Sequence, residues 1–174
     1  DCARSAELLA RLYDEARAVA ALQSEHICRL LDFGRTESGL PYTVYERLSG
    51  VDLEQLIADR GPLPVAEAVD LVLQACAGLA EAHAARIVHR DLKPENLFLA
   101  HRRTGPDIVK VLDFGIAKNL GVSPRHASTD PRCAIGSPGY MAPEQLALGS
   151  IDQRVDIWGL GAVLYELLTG CMAF

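Results

Sequence analysis

One segment, Arg154–Leu168, constrains the fold more than any other feature of this 174-residue sequence. Apolar side chains fall on almost every side of a helix drawn through it, namely Val155, Ile157, Trp158, Leu160, Val163, Leu164, Leu167 and Leu168. A helix that is hydrophobic nearly all round is predicted to lie buried at the centre of a fold rather than on its surface. The segment is too short to span a bilayer and it carries Asp156 and Glu166, so a transmembrane helix is not predicted.

The rest of the pattern places a small strand-containing layer first and a mainly helical part after it. Helical spacing of apolar residues predicts a long amphipathic helix over Ser5–Leu22, followed by strands at Ile27–Phe33 and Leu40–Tyr45. Asp52 is the predicted N-cap of a short helix that ends at Arg60, and a second long helix begins at Pro64. Two further short strands are predicted at Leu97–Leu99 and Val109–Leu112. This order predicts an α+β fold.

Composition narrows the class of protein and its partners. A hydrophobic fraction of 49% supplies a core and excludes a disordered chain. A net charge of −6 without a basic block argues against nucleic acid or an anionic membrane as the main partner. Five scattered cysteines without a CxxC pair predict neither a disulfide framework nor a zinc site, and no signal-peptide pattern is visible, so a cytoplasmic location is expected.

Four polar motifs carry the candidate chemistry. The sequence HRDLKPEN spans His89–Asn96, DFG spans 113–115, GSPGYMAPE spans 136–144 and DIWGLG spans 156–161. A polar loop between strands that contains a buried histidine is the alternative interpretation of the first motif. All four motifs, in this order, resemble those of the protein kinase family.

The resemblance covers essentially the whole chain and implies a two-lobe protein-kinase-like fold. Residues 1–48 would form a partial small lobe with the regulatory helix, two strands and the hinge, and residues 49–174 a partial large lobe. No glycine-rich loop and no strand lysine precede Glu15, and the last helices of the family are missing, so the expected fold is truncated. A piece of a longer kinase and a kinase-like module without chemistry both fit, and the intact motifs favour the former.

The resemblance also implies the reaction, which is transfer of the γ-phosphate of ATP to Ser/Thr hydroxyls of protein substrates with Mg²⁺. Asp91 would orient the hydroxyl and accept its proton, and Lys93 would meet the γ-phosphate. Asn96 and Asp113 would be the magnesium ligands, since this cation prefers hard oxygen donors. Lys93 and Ser137 are typical of the Ser/Thr type, although a turn residue before a proline is the alternative for Ser137.

The remaining ATP-binding positions follow from the same resemblance and are Glu15, Tyr45, Glu46, Leu48, Asp52, Lys93 and Phe98. Glu15 would pair with the strand lysine, and Asp14 is the competing candidate. Tyr45 would be the gatekeeper at the back of the pocket. The backbone of Glu46 and Leu48 would bond adenine and Asp52 would lie near the ribose, although a plain edge strand is the alternative interpretation of this region.

Regulation is implied by a further set, Arg90, Phe114, Gly115, Ser128, Thr129, Ser137 and Glu144. The loop after the DFG motif offers phosphorylation sites, with Thr129 first, Ser123 and Ser128 as others, and an unmodified loop as the alternative. Arg90 is the expected docking cation for a phosphate there. Glu144 resembles a glutamate that pairs with an arginine in a late helix, which this chain lacks.

Two residues are interpreted as structural. His89 is expected to pack and form hydrogen bonds without transferring protons. Asp156 is expected to accept from the catalytic-loop backbone around His89 and Arg90, because a carboxylate at the start of an apolar helix needs such partners.

The segments Ile27–Gly34 and Glu144–Leu146 look most like bacterial kinases of the eukaryotic type. The chain alone is expected to have no appreciable activity. A catalytically inert docking module remains the first alternative. A small-molecule phosphotransferase is disfavoured by the peptide-docking character of residues 136–144, and no membrane segment is predicted.

Overall fold

The computed structural model describes residues 14–38, 40–114, 138–147 and 149–174. In these residues the strands are β1 (Leu30–Arg35), β2 (Pro41–Tyr45), β3 (Gly50–Asp52), β4 (Leu97–Ala100) and β5 (Ile108–Val111). The helices are α1 (residues 14–20), α2 (Leu53–Arg60), α3 (Val65–Ala84), α4 (Pro143–Leu146) and α5 (Arg154–Thr169), with single 3-10 turns at Pro94–Asn96 and Pro138–Tyr140. The predicted α+β class is confirmed.

The strands form two small antiparallel sheets. β1 pairs with β2, while β4 lies between β3 and β5 in the second sheet. The strand predicted from Ile27 begins only at Leu30, because residues 27 and 28 pair with a different partner. Ile27 forms a bridge with Val111, and the Cys28 N–H donates to the Val111 carbonyl at 2.9 Å. The apolar segment that begins at Ile27 therefore pairs with both sheets, first with β5 and then, as β1, with β2.

The strand β3 is absent from the sequence prediction, which treated Gly50 as a break. Its three residues pair with β4 in a register that sets Asp52 opposite Phe98. Gly50 has φ +145°, and a Cβ there would lie 2.0 Å from the Leu99 carbonyl oxygen. Glycine is required at this position because no L side chain fits this backbone or this contact.

The residues at the two ends of α2 set its bounds as predicted. The Asp52 carboxylate accepts from the Gln55 N–H at 2.8 Å, which is the expected N-cap contact. The helix ends at Arg60 and Gly61 follows with φ +70°, a conformation that favours glycine after a helix.

The core lies where α3 packs against β5 and α5. Leu71, Ala75 and Leu79 supply the buried face of α3, and Val163 and Leu167 supply that of α5. In the part of the chain that the structure describes, the predicted burial of α5 at the centre of the fold applies to one face of the helix. Its opposite face leaves Ile157 62% and Trp158 38% exposed, since only one side of the helix meets α3.

Two further predictions concern cysteines and membranes. The cysteines in the described ranges, Cys28, Cys76 and Cys171, are free thiols. Among the described helices none combines the length and the apolar character needed to cross a bilayer.

Candidate active site

The segment 89–96 lies between α3 and β4, and its first residues are held by α5. The Asp156 carboxylate is 1% exposed and accepts from the N–H groups of His89 at 2.9 Å and Arg90 at 2.8 Å. His83 Nε2 lies 2.7 Å from the same carboxylate. This buried charge therefore has three polar partners, and the predicted bonds from His89 and Arg90 are present.

The His89 ring is fully buried and links two parts of the site. Its Nε2 lies 2.6 Å from the Leu112 carbonyl, and its Nδ1 accepts from the Asp91 N–H at 3.3 Å. Because a carbonyl oxygen only accepts, Nε2 carries the proton and the ring is neutral. Burial lowers the pKa of His89, which favours the same form. The ring centroid lies 4.9 Å from that of buried Phe114, so His89 has the contacts of a structural residue.

Asn96 joins the candidate catalytic aspartate to the DFG segment. Its Nδ2 donates to the Asp91 carbonyl at 2.7 Å and to Asp91 Oδ2 at 3.3 Å. The Asn96 carbonyl accepts from the Leu112 N–H at 2.9 Å, which fixes the residue before Asp113. Asp113 has φ +48°, and its exposed carboxylate has no hydrogen-bond partner among the described residues. The structure thus joins Asp91 and Asn96 directly and links the residue before Asp113 to Asn96 through the backbone.

The oxygens left available here suit a magnesium ion. Because Asn96 Nδ2 donates to Asp91, Asn96 Oδ1 and the Asp113 carboxylate are the oxygens that can act as ligands. No cluster of three or more His, Cys, Asp or Glu in the described ranges could hold a metal by itself. Mg²⁺ in phosphate-transfer sites typically takes one or two protein oxygens together with substrate phosphates and water, and the donor set fits that pattern.

The fourth predicted residue, Lys93, forms an ion pair with Glu95 at 2.9 Å. The surroundings are acidic. Burial and then the charges of Glu95 and Asp52 raise the pKa of Glu54. Tyr140, which precedes α4 in the chain, donates to Glu166 of α5. The acidic surroundings of Lys93 were not predicted from the sequence, although Glu95 lies inside the motif and only two residues from Lys93.

The predicted hinge begins where β2 ends. Burial, followed by the charge of Asp113, raises the pKa of Tyr45 to about 12. The Glu46 carboxylate instead accepts from Lys110 at 2.6 Å and from the Arg29 N–H at 2.9 Å. Burial raises its pKa, but these bonds lower it overall.

Residues 46–49 belong to no strand, so the edge-strand interpretation is wrong beyond Tyr45. Within the described chain, neither backbone polar group of Leu48 has a hydrogen-bond partner, which leaves both available to a ligand. Asp52 and Phe98 face each other across β3 and β4.

Other predicted residues are placed as follows. Glu15 is half-buried in α1, and Arg90 is exposed with φ +66°. Glu144 is partly exposed in α4, and in the described ranges its carboxylate forms no ion pair. The predictions for Gly115, Ser123, Ser128, Thr129 and Ser137 lie outside the described residues.

Two contacts were not expected from the sequence. His83 pairs with Asp156, and its position on the apolar face of a helix was the available signal. Gln145 of α4 donates to the Arg90 carbonyl at 3.0 Å, and no local pattern indicates that bond.

Comparison with known proteins agrees with this geometry. A family model described as the protein kinase domain matches residues 3–174. The chain is 40% identical over 167 residues to serine/threonine-protein kinase pkn3 of Myxococcus xanthus, covering 95% of this chain and 30% of that protein. It is 38% identical over 173 residues to PknB of Mycobacterium leprae, covering 98% of this chain and 27% of that protein.

A solved structure is similar as well. The PknI kinase domain of Mycobacterium tuberculosis superposes with a TM-score of 0.75 at 28% identity, covering 97% of this chain and 60% of that one. The chain spans less than a third of the length of the two curated relatives. With a family model matching nearly every residue and the motif side chains gathered at one site, the chain belongs to the protein kinase family.

Proposed function

We propose that the whole protein carrying this chain transfers the γ-phosphoryl group of ATP to serine and threonine hydroxyls of protein substrates. The observation that supports this most directly is the pair of hydrogen bonds from Asn96 Nδ2 to Asp91. These bonds leave Asn96 Oδ1 available for a cation, together with the Asp113 carboxylate. The relatives named as serine/threonine-protein kinases support the same reaction.

In this proposal Asp91 orients the substrate hydroxyl and accepts its proton. The hydrogen bonds from Asn96 Nδ2 fix Asp91 at its carbonyl and at Oδ2, so that the carboxylate keeps one orientation. Lys93 contributes positive charge toward the γ-phosphate and exchanges its contact with Glu95 for the phosphate. Asn96 and Asp113 hold Mg²⁺, which, when bound, neutralises phosphate charge.

The nucleotide base and ribose are assigned to the hinge and the second sheet. The unpaired backbone groups of Leu48 and the carbonyl of Glu46 bond adenine, with Tyr45 behind them as gatekeeper. Asp52 approaches the ribose and Phe98 lines the pocket from β4. Glu15 is assigned to the ion pair with the lysine that positions the α- and β-phosphates, in a small lobe comprising residues 1–48, with residues 49–174 in the large lobe.

Regulation is assigned to the segment between Phe114 and Ser137. Phosphate on Thr129, or on Ser128, is held by Arg90, whose guanidinium lies on an exposed residue beside Asp91. The domain acts in the cytoplasm.

The proposal is tested on the whole protein with Mg²⁺, radiolabelled ATP and a mixed library of serine and threonine peptides. We expect transfer to peptide, with Asp91→Asn and Asp113→Asn each at least about 100-fold slower. Asp59→Asn is the matched control, since Asp59 is exposed on α2 and, among the described residues, its carboxylate accepts only from Gln55. Absence of transfer by the unmodified protein would favour an inert docking module. Transfer to aminoglycosides or sugars but not to peptide would favour a small-molecule phosphotransferase.

A further inference from the structure

The side chain of Gln145 connects α4 to the catalytic loop. Its Oε1 accepts from the Ala142 N–H at 3.0 Å, which caps the start of α4, and its Nε2 donates to the Arg90 carbonyl at 3.0 Å. The two residues joined by the second bond are 55 positions apart in sequence. One amide group therefore serves two different segments.

The bond to Arg90 falls on a strained peptide. Arg90 has φ +66°, a left-handed conformation that is unfavourable for a residue with a Cβ and persists only where surrounding contacts enforce it. Its N–H is fixed by Asp156 at 2.8 Å. Its carbonyl belongs to the peptide unit that leads into Asp91, whose N–H donates to His89 Nδ1 at 3.3 Å. Gln145 contributes a 3.0 Å bond to the carbonyl end of this peptide unit.

Capping alone does not explain an amide at this position. The cap uses only an acceptor oxygen, and glutamate at the third position of a helix provides that oxygen together with a favourable interaction with the helix dipole. A glutamate here would set a negative oxygen against the Arg90 carbonyl. The chain instead carries glutamine, whose Nε2 group is a donor, and this group donates to the Arg90 carbonyl.

We propose that Gln145 is a positioning residue for phosphoryl transfer. By holding the Arg90 carbonyl it fixes the peptide that carries Asp91, and it couples the segment 138–146 to the catalytic loop. This role rests on the proposed kinase function for its effect on rate, whereas the positioning itself is measurable without activity.

The test compares Gln145→Glu, which keeps the capping oxygen and removes the donor, with Gln145→Met, which removes both at similar volume. Gln153→Glu makes the same chemical change on an exposed residue whose side chain has no hydrogen bond in the described chain. In the whole protein we expect Gln145→Glu to lower kcat for peptide phosphorylation at least about tenfold, with KM for ATP and for peptide within about twofold. Gln145→Met is expected to match that loss of kcat, and Gln153→Glu to leave kcat unchanged.

Amide hydrogen exchange across residues 89–92 gives the second readout. We expect faster exchange in both Gln145 variants and wild-type exchange in Gln153→Glu. Unchanged kcat and unchanged exchange in Gln145→Glu would overturn the inference, as would a loss of kcat that disappears on cooling together with a lowered melting temperature. If the unmodified protein and Asp91→Asn are equally inactive, the kinase proposal fails, and the exchange data alone then decide whether Gln145 orients the loop.

Discussion

Removing the Asp156 carboxylate is expected to release the catalytic loop from α5. The group is 1% exposed, and its Oδ2 accepts from the His89 N–H and contacts His83 Nε2, while its Oδ1 accepts from the Arg90 N–H. In Asp156→Ala all three groups lose their partner inside the protein. In Asp156→Asn the remaining carbonyl oxygen occupies the position of Oδ2, which has two contacts. The new NH₂ group occupies the position of Oδ1 and faces the Arg90 N–H.

The magnitude follows from the cost of buried donors without acceptors, about 1–3 kcal/mol each. The two backbone donors and the partly exposed His83 together give on the order of 4 kcal/mol for Asp156→Ala. One unsatisfied donor gives about 2 kcal/mol for Asp156→Asn. With about 2–4 °C per kcal/mol for a domain of this size class, the melting temperature should fall by about 8–16 °C and about 4–8 °C respectively.

Two measurements on the whole protein check this expectation. Thermal denaturation follows the transition of this domain, and hydrogen exchange follows the Arg90 amide, which should exchange faster than the His89 amide in Asp156→Asn. Asp59→Asn is the control, and a surface change of this kind is expected to stay within about 0.5 kcal/mol. A melting temperature for Asp156→Ala within 2 °C of wild type, with slow exchange at both amides, would refute the reasoning.

Two more expectations concern the same loop. A Cβ on Gly159 of α5 would lie 3.0 Å from Leu92 Cβ and 3.3 Å from the Leu92 carbonyl oxygen, so Gly159→Ala should shift the loop and lower kcat about tenfold. Gly161→Ala, which meets nothing within 4 Å, should raise stability by up to about 1 kcal/mol with unchanged kcat, and equal kcat in both variants would contradict the contact argument. Because the pKa of His89 is lowered by burial, the unfolded chain binds a proton near pH 6.5 that the folded chain does not bind until lower pH. The free energy of unfolding should therefore be highest above pH 6.5 and decrease as the pH drops toward 5. In denaturant titrations, the free energy of unfolding of His89→Phe should decrease less over the same pH range.

Much of the fold follows from local signals in the sequence. α5 was predicted to within one residue because its apolar run starts at an arginine and stops before Gly170, which takes φ +73°. The cap at Asp52 was predicted for the same kind of reason. Asp91 and Asn96 lie within one contiguous motif, and the resemblance of that motif to the protein kinase family predicted that the two residues share a site.

The missed features depend on contacts between distant segments. Ile27 is apolar and strand-like, but nothing around it indicates that it changes sheet before Leu30. The exposure of Trp158 depends on which side of α5 meets α3, and an all-round apolar pattern does not specify a side. The local sequence around Gln145 and His83 does not indicate their contacts, because their partners lie 55 and 73 positions away.

The geometry of the catalytic loop is therefore a tertiary property even though its residues are local. Arg90 and Asp113 both adopt positive φ, which their own side chains disfavour. The bonds that counter this strain come from Asp156 and Gln145 at Arg90, and from the Asn96 carbonyl at the residue before Asp113. Since strained conformations persist only where several contacts enforce them, weakening any one of these bonds should change how the loop presents Asp91. Activity should consequently be sensitive to residues that never touch the substrate, and that sensitivity should be greatest where the lost bond has no second partner.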